Sequence, residues 1–126
     1  MKNLLMLAAL GYALLANVAA VAEPQRYGVL GDGNTSCGTW TRDRTGAGVY
    51  DRASANFHLV WVLGFLTGMN YHLTTNGQRV GNITHGTDVE GLFSWIDNYC
   101  RQHPLDTISN AAEGLYGALL QKGAVP

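Results

Sequence analysis

Cys100 and His103 lie three residues apart in "SWIDNYCRQHPLD" (residues 94–106), neighbours on one helix face, and an imidazole there can lower a thiol's pKa. A cysteine nucleophile also needs a base oriented by a third group, and donors for the oxyanion. The sequence supplies neither at a fixed spacing. Zinc is the second chemistry to weigh, with Cys37, Cys100, His58, His72, His85 and His103 as ligand types. None forms a C-x-x-C or H-x-x-x-H step that would pre-order ligands, so neither a metal nor a cofactor is expected. Among the carboxylates, Asp43 and Asp51 fall in a loop-rich stretch, and Asp88 and Glu90 are explained by helix capping. Asp97 and Asp106 flank a helix turn, Asp106 being the simplest N-cap for the helix beyond. No glycine-rich phosphate loop opens a helix and no G-x-S-x-G occurs. A non-catalytic protein is expected, with an enzyme using Cys100 as the alternative.

The two cysteines carry a second message through the compartment that the N-terminus implies. Lys2, the apolar run Leu4–Leu15 and the small-x-small triplet Ala20-Val21-Ala22 read as a signal peptide of residues 1–22, cleaved before Glu23. An uncleaved anchor is the alternative, disfavoured by Asn17 and by the lack of positive charge after Ala22. The expected location is periplasmic or secreted, with residues 23–126 as one domain. In an oxidising compartment, a pair of cysteines defaults to one intramolecular disulfide, Cys37–Cys100; free thiols or a bridge between two copies are the alternatives. Losing Lys2 leaves seven basic against nine acidic residues, from totals of 8 and 9. Without a basic run, the footprint for nucleic acid or anionic lipid is missing.

Three main helices must position these residues. Residues 23–49 are rich in Gly, Asn, Asp, Ser and Thr, and predict loops with at most a short turn or strand near Cys37 to Arg42. Residues 51–73 predict a central helix: Phe57, Trp61, Phe65 and Met69 recur every fourth position, beside a stripe of Val60, Gly64 and Gly68. Its apolar residues run nearly all round, so other helices should surround it, and its apolar stretch is too short to span a bilayer. Gly64-x-x-x-Gly68 then reads as the close approach of a second soluble helix. Residues 74–86 read as a polar loop or small hairpin, and Asn34-Thr35-Ser36 and Asn82-Ile83-Thr84 match glycosylation sequons. Residues 87–103 predict a helix with Thr87 and Glu90 as a capping box and Pro104 as its stop. A last helix over about 106–121, starting at Asp106 or Thr107, ends at Gly123. The class is all-α: a small bundle with a loop-rich N-terminal segment and one disulfide.

Aromatic residues exceed what three short helices need for packing. Trp40, Tyr50 and Tyr71 border loops and are candidate interface anchors.

The stretches "CGTW", "WVLGFLTGMN" and "VEGLFSWIDNYCRQHPLDTISNAAEGL" resemble, over most of residues 36–120, the layout of the Hde-type periplasmic acid-stress chaperones. The glycine-bearing helix and the "Y-x-x-x-H-P…A-A" closing helices are also similar to Tai-type immunity proteins, which neutralise secreted amidase toxins. Both resemblances imply an all-α fold, a Cys37–Cys100 disulfide and a non-catalytic, protein-binding role. They transfer no functional residue beyond the cysteine pair. Hde-type chaperones are rich in Lys, Asp and Glu, whereas this chain is only 13% charged. The expected partner is a protein: a stressed client, a toxin, or a second copy of the chain. Stable membrane insertion and nucleic-acid binding are not expected.

Overall fold

The computed structural model describes residues 27–75 and 82–123, and the expected signal peptide lies outside them. A one-turn 3-10 helix, Gly31–Asn34, precedes four α-helices: α1 (Cys37–Thr45), α2 (Val49–Thr75), α3 (Val89–Gln102) and α4 (Ile108–Lys122). The bundle is all-α, with four helices where the sequence suggested three. The extra one is α1, a full helix of 9 residues in the stretch expected to hold at most a turn or strand. Ser36 caps it, its side chain accepting from the Thr39 amide. Its remaining support comes from distant residues: Cys37 N–H donates to Asp106 C=O and Gly38 N–H to Pro104 C=O, while Ile108 N–H returns to Thr35 C=O.

The cap of α3 differs from expectation by one residue, and that of α4 is the second of the two expected starts. Asp88, rather than Thr87, caps α3, accepting from the Gly91 amide. The Thr87 hydroxyl instead donates to Thr84 C=O, so the Thr87–Glu90 capping box does not form. For α4 the cap is Thr107, and Asn110 closes the box by accepting from the Thr107 amide. Asp106 is free of that duty, and its carboxylate receives the Tyr99 hydroxyl at 2.7 Å.

The core gathers side chains from all four helices: Trp40 from α1, Val62, Leu66 and Leu73 from α2, Ile96 from α3, and Ile108, Leu115 and Leu119 from α4. Ile83, between α2 and α3, is buried among them and pins the expected polar loop to the bundle at that point. The Cys37–Cys100 disulfide bridges α1 to α3 across 63 residues. Closing a loop of that length stabilises the fold by about 4 kcal/mol in the chain-entropy account. Beside it, Asp97 of α3 accepts from the Trp40 indole at 2.7 Å and from both Nε and Nη2 of Arg44. The Arg44 guanidinium lies over the Trp40 and Phe93 rings.

Contrary to expectation, α2 is not surrounded. Its inner face, Ala55, His58, Val62, Leu66 and Leu73, is buried. The opposite face carries Phe57 at 69% exposed, so the four-residue stripe of Phe57, Trp61, Phe65 and Met69 runs along a flank rather than the core. No second helix crosses at Gly64 and Gly68 either: a Cβ added to either would meet nothing within 4 Å. A close approach does occur elsewhere, at Gly33, where any Cβ would overlap the Trp61 indole. That contact, with the Trp61 N–H bonded to Leu30 C=O at 2.6 Å, lays residues 27–33 against α2.

Candidate functional site

Two groupings of side chains invite a functional reading. The first is polar and buried. His58, on the inner face of α2, sits between Asp43 of α1 and Asp32 of the 3-10 turn. Its Nε2 lies 3.1 Å from Asp43 Oδ2 and 3.3 Å from the Ser54 hydroxyl. Its Nδ1 lies 3.4 Å from Asp32 Oδ2 but makes no hydrogen bond, being poorly aligned with it. Burial works against an ionised Asp43, but hydrogen bonds from Ser54, Arg42 and His58, with the Arg42 charge, outweigh it and lower the carboxyl's pKa. Ser, His and Asp are the residue types of a nucleophilic triad, yet such a triad separates serine and carboxylate onto opposite ring nitrogens. Here Ser54 and Asp43 share Nε2, and both Asp43 and His58 are buried. The cluster ties α1 and the 3-10 turn to α2. Among the described residues, no group of three or more His, Cys, Asp or Glu is arranged to hold a metal ion.

The second grouping is apolar and open. Gly64 and Gly68 floor a groove of about 610 Å³ between α2 and α4, with Phe65, Met69 and Tyr116 as walls and Tyr27 at its edge. Glu113 of α4 is the charged residue in that lining. A second recess, under residues 27–30, continues it along Trp61, Gly64 and Phe65. The glycines let the helix backbone form the floor, a role that any side chain there would fill in. Beyond the groove, the outer surface of α2 carries Tyr50, Phe57, Val60 and Tyr71, each at least two-thirds exposed. Contiguous exposed apolar surface on a small protein marks an interaction site more often than it marks chance. No protein family, curated protein or solved structure matches this chain.

The residues singled out from sequence divide between these regions. Cys37 and Cys100 are joined, which leaves no free thiol among the described residues. His103, which stood beside Cys100 in sequence, packs at a tilt against the Tyr99 ring with centroids 4.6 Å apart. The Tyr99 hydroxyl's pKa is raised by its hydrogen bond to Asp106 and by burial. Trp40 is fully buried, with its indole N–H satisfied by Asp97, so it belongs to the core and not to an exposed interface. Tyr50 and Tyr71 lie on the outer face of α2. Asp43, read as part of a flexible stretch, is instead buried on α1, while Asp51 accepts from the Gly48 amide at the start of α2. Sequence reasoning missed the uncovered face itself. Its signal was present: no Asp, Glu, Lys or Arg occurs between Arg52 and Arg79.

Proposed function

We propose that this chain is an exported, non-catalytic protein-binding module that captures partner chains in the groove beside α2, as a chaperone-like factor in periplasmic stress. The observation that carries this reading is the open apolar groove over Gly64 and Gly68, continuous with the exposed aromatic surface of α2. A groove of that size accepts a few apolar side chains of an unfolding client, and its glycine floor admits different side-chain shapes. A light-scattering assay tests it: purified chain is mixed with an aggregation-prone client at low pH. Suppression is expected, and a folded Gly68→Glu variant should lose it. A folded wild-type chain that leaves aggregation unchanged would count decisively against the reading.

A second reading, an immunity protein binding one toxin, is favoured by the clamped frame on the other side of the bundle. The disulfide and the Trp40–Asp97–Arg44 contacts fix α1 against α3, so a fixed surface could match a fixed partner. It predicts tight, one-to-one binding to a single hydrolase, with no protection of unrelated clients. A secreted hydrolase encoded beside this gene would favour it.

A further inference from the structure

The outer face of α2 carries a pattern that shares only Gly64 with the groove. Tyr50, Phe57, Gly64 and Tyr71 recur every seven residues, with Ala53, Val60 and Thr67 between them, so the steps alternate three and four. All seven positions are exposed and none is charged. Strict three-four alternation is the seam of a two-helix coiled coil, narrower than the stripe that faces a globular core. At 100° per residue the seam lies opposite Val62 and Leu66, and about a quarter turn from the groove. It runs for about 32 Å at 1.5 Å per residue.

We propose that this seam pairs with the same seam of a second copy, antiparallel, about a two-fold axis near residue 62. The choice of occupant rests on size complementarity. In that register Val60 meets the partner copy's Gly64, Phe57 meets its Thr67, and Tyr71 meets its Ala53. Phe57, Val60 and Tyr71 each face a smaller residue, as knobs need holes, while Tyr50 falls past the end of the paired seam. A parallel register pairs Tyr50, Phe57 and Tyr71 each with itself and leaves a void where two glycines meet. Being uncharged, the seam carries no like-charge penalty against its own copy, and a self-complementary patch is what a two-fold interface requires. The area also suffices. Tyr50, Phe57 and Tyr71, at 90%, 69% and 72% exposed, offer most of the 150–250 Å² each that such side chains bury. With Val60 and the helix backbone, the face approaches the roughly 800 Å² per partner of an ordinary stable interface. The pairing goes beyond the client reading and takes Gly64 from the groove floor, leaving Phe65, Gly68 and Met69 to the groove.

Cross-linking the full folded chain tests both pairing and register, since the native cysteines are joined to each other and do not interfere. Val60→Cys and Gly64→Cys proteins, mixed under mild oxidation, should form the mixed disulfide dimer in preference to either homodimer. Sedimentation equilibrium of the unmodified chain should give twice the chain mass, and Phe57→Arg should weaken that association by at least about tenfold. Phe57 is exposed, so the variant keeps the fold and the wild-type circular dichroism. Predominant Val60→Cys or Gly64→Cys homodimers would overturn the antiparallel register. A monomeric chain at micromolar concentration would overturn the pairing and assign the face to another protein.

Discussion

The two sides of α2 are built on opposite terms. Inward, Val62 and Leu66 are buried in the core and His58 is held between Asp43 and Asp32, beside a disulfide and a buried Trp40. Outward, the same helix exposes Tyr50, Phe57, Val60 and Tyr71 and a groove floored by glycine backbone. A domain of this size has little core to spare, and here the covalent and polar clamp offsets the apolar surface left uncovered. The contrast teaches that hydrophobicity along α2 has two destinations, packing on one face and open surface on the other.

The largest way to break the contrast is at the clamp. Replacing Cys37 and Cys100 together by Ser should lower unfolding stability by about 4 kcal/mol, read from urea midpoints at constant m-value. Next, Asp43→Ala strips His58 of its hydrogen-bonded carboxylate and should cost about 2 kcal/mol. Asp43 also gives the clamp a pH dependence. Its pKa is lowered in the folded state, so its contribution is complete above the unfolded carboxyl value of about 4 and is lost as pH falls through the lower folded value. Unfolding midpoints should therefore fall below about pH 4, and Asp43→Asn should flatten that part of the profile.

Glycines sharpen the comparison with opposite signs. Gly33→Ala forces a Cβ into the Trp61 indole and should destabilise, whereas Gly68→Ala enters open space in mid-helix and should stabilise by about 0.5–1 kcal/mol. The smallest effect is expected at the outer face, where Phe57→Ser should change monomer stability by no more than about 0.5 kcal/mol. Thermal unfolding of these three variants side by side checks the order.

Local signals made much of this bundle legible. The 3.6-residue period located α2, α3 and α4, and two cysteines in a chain expected to be exported pointed to the bridge that joins α1 and α3. What escaped was set by distant contacts. Helix α1 depends on backbone bonds to residues 104–108, and no window around Cys37 contains them. The shift of the α3 cap from Thr87 to Asp88 reflects competition between two adjacent capping residues, which spacing alone does not decide. Trp40 looked like an anchor because its neighbours are polar, yet its partner Asp97 lies 57 positions away. The open face was misread because an all-round apolar helix has the same composition whether a neighbour covers it or not.

The central claim is that the uncovered side of α2 exists to bind protein while the clamped side only holds the fold. Client protection measured for Gly68→Glu tests it most directly, since that side chain fills the groove without touching the core. The account predicts an unfolding midpoint at or above the wild-type value with loss of client protection. Full protection by a folded Gly68→Glu protein would contradict it.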